Sequence, residues 1–328
     1  MICEIEDKVF TVEPADFEEL ALEMFRFQYA NNPVYEQYVN AMGVVGSAVQ
    51  SLSQIPFLPI QFFKTHPVKT TSFEPEAVFE SSGTTQTINS RHYIKSLNLY
   101  RESFLQNWIR QYGPVSDYCI IGLLPSYLER QHSSLVVMTD ELVRLSGHAH
   151  SGFYLYEHDK LHTVLQQLEK AGQKTVLLGV TFALLDFAEQ YALPLTNTII
   201  METGGMKGRR EELTRVAVHE QLKKAFECTV IHAEYGMTEL LSQAYSKGNG
   251  IFHNPAWMKM LVREEDDPLA IQSTGKGALN IIDLANIYSC SFIATDDVGA
   301  VYTDGSFEVQ GRMDNSDIRG CSLMVGSI

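Results

Sequence analysis

Between residues 77 and 236 the chain alternates short apolar stretches with longer amphipathic ones, and no other feature restricts the fold as much. The stretches "AVFE", "DYCIIGLLP", "SGFYLYE", "KTVLLGV", "NTIIMETGG" and "CTVIHAEYG" read as strands. Between them, "HYIKSLNLYRESFLQNWIRQYG", "SSLVVMTDELVRLSG", "DKLHTVLQQLEKAG", "FALLDFAEQYAL" and "RREELTRVAVHEQLKKAFE" carry the three- and four-residue recurrence of helices. A strand that is apolar throughout, with no in-out alternation, has both faces covered. The pattern therefore predicts an α/β fold, a mainly parallel sheet sandwiched by helices.

The flanking regions differ. From Pro14 to Met42 the recurrence of Phe17, Leu20, Met24 and Phe25 predicts helix, interrupted at "ANNP". The prolines of "IPFLPIQFFKTHPVKT" predict an extended segment. Beyond Gly236, "GALNIIDLA", "SCSFIATDDVGAVY" and "SFEVQGR" are strand-like pieces joined by Gly and Asp turns, which predicts a small antiparallel β subdomain near the C-terminus. The expected division is an α/β core over 1–239, a β-rich subdomain of the same large domain over 240–312, and a hinge and tail over 313–328.

Composition narrows the function. A formal net charge of −15 argues against a nucleic-acid surface, which needs clustered Lys and Arg. The acidic N-terminus lacks the pattern of a signal peptide and no apolar run is long enough to span a bilayer, so a cytoplasmic protein is expected. Five cysteines at 3, 119, 228, 290 and 321 form no CxxC pair or His/Cys cluster, which leaves buried small hydrophobes as the reading for Cys119, Cys228 and Cys290.

Three stretches have the residue types for chemistry. "FESSGTTQT" sits between a strand and a helix, and Ser82, Gly83, Thr84 and Thr85 offer hydroxyl and amide donors to an anion; the alternative is an ordinary polar turn. "METGGMKGRR" and "HAEYGMTE" fall at C-terminal ends of strands, where parallel sheets present ligand loops. There Gly204 and Gly205 would admit a flat base, Tyr235 could stack on it, Thr238 could reach a phosphate and Glu239 could hold a metal ion. Taken singly, Tyr235 also reads as core and Glu239 as solvated. In "TDDVGAVYTDGSFEVQGRMD", Asp297 and Arg312 could bring a carboxylate and a guanidinium to one ligand, or decorate a surface turn.

In this order the stretches resemble the adenylate-forming superfamily of acyl- and aryl-CoA synthetases, adenylation domains and luciferases. "SSGTT" is similar to its phosphate loop, "EYGMTE" to its adenine and magnesium motif, and "TDDVGAVYTDGSFEVQGRMDNSDIRG" to the run from the ribose-binding Asp to the hinge, with Asp297 seven residues before Asp304 and Arg312 eight after it. Chain length, "ETGGMKGRR" and "DNSDIRGCSLMV" most resemble the acyl-protein synthetases of bacterial luminescence operons and relatives near phenylacetate-CoA ligases. The resemblance implies the large domain of that fold, ATP and Mg²⁺ as cofactors, and a fatty or aryl acid as substrate. Ser82, Gly83, Thr84 and Thr85 would hold the triphosphate, Gly204 and Gly205 border adenine, Tyr235 stack on it, and Thr238 touch the α-phosphate. Glu239 would bind Mg²⁺, Asp297 the ribose, Arg312 would assist, and Asp314 would be the hinge.

Departures from the pattern are equally specific. Gln86 replaces the usual glycine of the phosphate loop, the lysine that follows it is absent, and Arg91 is the cation nearest to take its place. The family's C-terminal lid domain, with its catalytic lysine, is not expected in this chain. Cys321 resembles in position the cysteine that accepts the acyl group in the luminescence synthetases, with Arg319 nearby to favour its thiolate, although "CSLMV" also reads as a terminal strand. His132 and Phe182 follow strands and are candidate walls of the acid pocket, His132 also reading as a satisfied histidine. The expected function is activation of a carboxylic acid as its acyl-adenylate and transfer to a thiol, through Cys321 to a reductase or other acceptor protein. Alternatives are transfer to coenzyme A or a carrier-protein phosphopantetheine, and a non-catalytic nucleotide- or acyl-binding subunit.

Overall fold

The structure, a computed structural model, describes residues 2–81, 88–124, 132–204, 213–264 and 267–313. A six-stranded sheet forms its centre, in the spatial order Gly152–Phe153, Cys119–Leu123, Thr175–Val180, Thr198–Thr203, His232–Tyr235 and Ala244–Ser246. The first five strands pair in parallel, and the last is antiparallel to His232–Tyr235. Every residue of Cys119–Leu123 and Thr175–Val180 is buried, as two covered faces require. The helices dock through apolar stripes. In His158–Ala171, Leu161, Val164, Leu165 and Leu168 form that stripe, each contributing roughly 1.5–3 kcal/mol by burial. Among the described residues no helix is long and apolar enough to cross a membrane.

A second, seven-stranded sheet runs Ile251–Phe252, Phe307–Arg312, Phe292–Val301, Gly275–Asp283, Met258–Arg263, Ile271–Gln272, and Leu58–Pro59 joins it in parallel beside Phe292–Val301. All other pairings in it are antiparallel. The N-terminal helices Phe17–Asn31 and Pro33–Ala41 cover it: Tyr35 stacks on Phe292, and Gln28 donates to the carbonyls of Asn286 and Ile287. Asn32 separates these helices, its side chain accepting from Tyr35 N–H while Pro33 opens the second. The sheet thus draws residues from both ends of the chain.

Three local expectations change. The helix read from His92 onward begins at Leu97, because Arg91–Ile94 is a strand paired antiparallel with Ala77–Glu80. Its inward side chains, His92 and Ile94, alternate with more exposed ones, and Glu76 accepts from Leu97 N–H to start the helix. "SGFYLYE" contributes only Gly152–Phe153 to the sheet. The proline-rich segment is extended at Leu58–Pro59 but makes one helical turn at Phe62–Thr65.

Candidate active site

Asp297 is one link between the two sheets. It lies in Phe292–Val301, directly opposite Arg312 of the neighbouring strand, and Arg312 Nε donates to its Oδ1 at 3.1 Å. From the end of His232–Tyr235, the Tyr235 hydroxyl donates to Oδ2 at 2.7 Å. Burial pushes the Tyr235 phenol well above its usual range, and the Asp297 charge pushes it further, so the hydroxyl remains a donor. The adjacent Asp297 carboxylate leaves the Arg312 guanidinium more firmly protonated than usual. Phe252 and Phe307 flank the Tyr235 ring at 5.9 and 5.4 Å between centroids.

Glu239 sits at the turn after the Tyr235 strand, 5% exposed. Burial raises its pKa, while a hydrogen bond from Ser90 and the charges of Arg312 and Lys64 oppose the rise. Ser90 also closes the stem of the segment named as the phosphate loop: its carbonyl accepts from Ser81 N–H at 3.1 Å, and its N–H donates to Ser81 Oγ at 2.9 Å. The base of that segment therefore abuts the Glu239 carboxylate. Ser82, Gly83, Thr84 and Thr85 themselves lie outside the described residues. Arg91 forms an ion pair with Glu80 at 3.5 Å across the hairpin.

Two carboxyl groups beneath the site were not anticipated. Glu202, one residue before the end of Thr198–Thr203, accepts from Thr181 Oγ1 at 2.9 Å and faces Arg215 at 3.6 Å and His219 at 3.7 Å. The same Thr181 hydroxyl proton is shared with the carbonyl of Gly204, whose φ of 69° suits a residue without a side chain. Arg215 in turn donates to Val309 O at 2.9 Å, tying this corner to the strand that carries Arg312. Glu234 is buried, accepts from Thr203, and has its pKa pushed up to about 7 by desolvation. A Cβ at Gly236 would fall 2.4 Å from Glu234 Oε1, so Gly236 leaves the space that Glu234 fills. The signal in sequence was an acid inside each apolar strand, "METGG" and "HAEYG".

The remaining named residues are spread around this centre. His132 is exposed and borders the Ala77–Glu80 strand: its carbonyl accepts from Glu80 N–H at 2.8 Å, and its ring donates through Nδ1 to Val78 O at 3.1 Å. Phe182 is half-buried beside Thr181. Gly205, Asp314, Arg319 and Cys321 lie outside the described residues. A cavity of about 300 Å³ between Thr181–Gln190 and Arg215–Phe226 is lined by Leu185, Ala188, Ala192 and Ala225 with Glu189, Gln221 and Lys224, and by none of these residues.

No family model matches the sequence, and no curated protein matches it. Solved structures do. ATP-bound MatB from Rhodopseudomonas palustris matches with a TM-score of 0.54 at 16% identity, over 72% of this chain and 48% of that one. The ATP-bound RpMatB-BxBclM chimera B3 matches with a TM-score of 0.54 at 14% identity, over 74% of this chain and 49% of that one. The chain spans about half the length of the structures it matches. What the chain shares with both structures is their fold, in keeping with the α/β architecture expected from the sequence.

Proposed function

We propose that the protein uses ATP to convert a fatty or aryl carboxylic acid to its acyl-adenylate and then transfers the acyl group to a thiol. The observation that carries this reading is the Asp297 carboxylate, fixed by Tyr235 and Arg312 on one oxygen each. An ionised carboxylate has about four acceptor sites, so two donors leave capacity for a ribose diol. Glu239 suits Mg²⁺, which takes one or two protein carboxylates and completes its shell with substrate phosphates and water. Bound there, the ion would screen the repulsion between the acid and the triphosphate. Tyr235 then orients the base, Asp297 the ribose, and Thr238 with the Ser82–Thr85 hydroxyls the phosphates. So placed, the acid's oxygen attacks the α-phosphorus, the bond to the bridging oxygen breaks, and pyrophosphate leaves.

In the second step a thiolate attacks the acyl carbon and AMP departs. We assign this thiol to Cys321, on its resemblance in position to the acyl-accepting cysteine of the luminescence synthetases, with residues 1–239, 240–312 and 313–328 acting as core, β subdomain and tail. Exchange of labelled pyrophosphate into ATP, run across fatty and aryl acids, tests adenylation. At least one acid should support exchange, and absence of exchange with all of them refutes the first step. Cys321→Ser should retain exchange and lose acyl labelling of the protein; labelling that persists refutes the acceptor.

A further inference from the structure

Between Gly236 and Gln243 the backbone belongs to no ladder, so its polar groups need partners from elsewhere. Side chains supply them. Asp283 Oδ2 accepts from the N–H groups of Leu241 and Ser242 at 2.9 and 3.0 Å, and Asn286 donates to Glu239 O at 2.8 Å. Both come from the antiparallel sheet and the turn that follows Gly275–Asp283. The carbonyl of Thr238 is held from a different direction: His92 Nδ1–H donates to it at 2.9 Å.

We propose that His92 is a positioning residue that locks the Thr238–Glu239 turn to the hairpin closing the phosphate-loop segment, setting where Glu239 stands relative to the phosphates. Strand alternation puts Ser90, His92 and Ile94 on one inward face, each at most 2% exposed. Ser90 lies close enough to the Glu239 carboxylate to favour its ionised form, and His92 holds the Thr238 carbonyl, so one face of the hairpin borders both halves of the turn. Phe63 packs edge-to-face with the His92 ring at 5.9 Å, which fixes the direction of its Nδ1–H. The cavity beside His92 and Asn286 measures about 10 Å³, room for no more than a water. The ring therefore serves the turn and not a ligand of its own.

The inference rests on the proposed nucleotide reading, and the test separates the two. ATP binding to the full chain is measured by calorimetry with Mg²⁺ and again in EDTA, for the wild type and for His92→Ala, His92→Asn and His92→Gln. An asparagine amide sits near the place of the imidazole Nδ1–H, whereas a glutamine amide reaches toward Nε2. Ala and Gln should weaken Mg²⁺-dependent binding about 10- to 100-fold, weaken binding in EDTA by less because Thr238 shifts with the turn, and Asn should restore the loss. Should Ala prove unfolded, the Asn and Gln pair decides. Equal affinities for wild type and Gln, or equal losses for Asn and Gln, overturn the role of His92 and leave the nucleotide site standing. A wild type that binds no ATP under either condition overturns the proposed function and this inference with it.

Discussion

Asp297 and Arg312 stand directly opposite one another on adjacent antiparallel strands, with Arg312 Nε 3.1 Å from Asp297 Oδ1. The pairing is set by register, because each residue's Cα partner is the other. The arginine is well exposed while the aspartate is buried, so solvent weakens the pair's Coulombic worth and geometry is its main product.

Replacing Asp297 by Asn keeps the shape but removes the charge and two acceptor sites. AMP binding measured by calorimetry should fall by about tenfold or more, since hydrogen bonds to charged groups are worth about 1.5–3 kcal/mol. Arg312→Ala should cost less, because Tyr235 still orients the carboxylate.

Tyr235→Phe isolates the hydroxyl. The ring remains between Phe252 and Phe307, while Asp297 loses the donor at 2.7 Å. Urea denaturation should show a loss of about 1–3 kcal/mol, the cost of leaving a buried acceptor short of a partner. Unchanged stability would mean that the bond contributes nothing net.

The fold was more legible in sequence than the detail of the candidate site, and the limits were physical. The parallel strands announced themselves because burial on both faces leaves unbroken apolar runs, as in Cys119–Leu123. Met258–Arg263 did not: Lys259 and Arg263 break its pattern. Yet Arg263 is 9% exposed, donating to Leu279 O, Asn280 Oδ1 and Thr295 O, partners on two other strands. That Asp297 and Arg312 lie at opposite ends of one hairpin was read from the sequence, and the register pairs them. The approach of Ser90 to Glu239 was not, because Ser90 in "TINSR" looks like any polar turn residue until the hairpin carries it there.

Glu239→Gln should separate stability from function. Burial raises the pKa of Glu239 because it penalises the ionised form, and a neutral amide of the same shape escapes that penalty. Thermal melting at pH 7 should give a variant at least as stable as the wild type. Calorimetry should show that Mg²⁺ no longer strengthens its ATP binding; retention of the Mg²⁺ effect excludes Glu239 as the metal ligand.

Glu234 should make the protein's stability fall as pH rises. Its carboxyl moves from 4.5 to about 7 on folding because burial penalises the ionised form. Between those values the native state holds a proton that the unfolded chain has released, so stability is fully present below about pH 4.5 and is lost as pH climbs to about 7. The loss amounts to about 3–4 kcal/mol, at about 1.4 kcal/mol per pKa unit. Burial lowers His92 and His232 to about 4, and they contribute the opposite slope, losing stability as pH falls through 6.5 toward 4. Glu234→Gln keeps the size of the side chain and abolishes only its titration. Urea unfolding of wild type and variant from pH 4.5 to 8 should therefore give a difference that grows in the variant's favour up to about pH 7 and then levels off. A constant difference across that range would place the Glu234 carboxyl in its ordinary titration range.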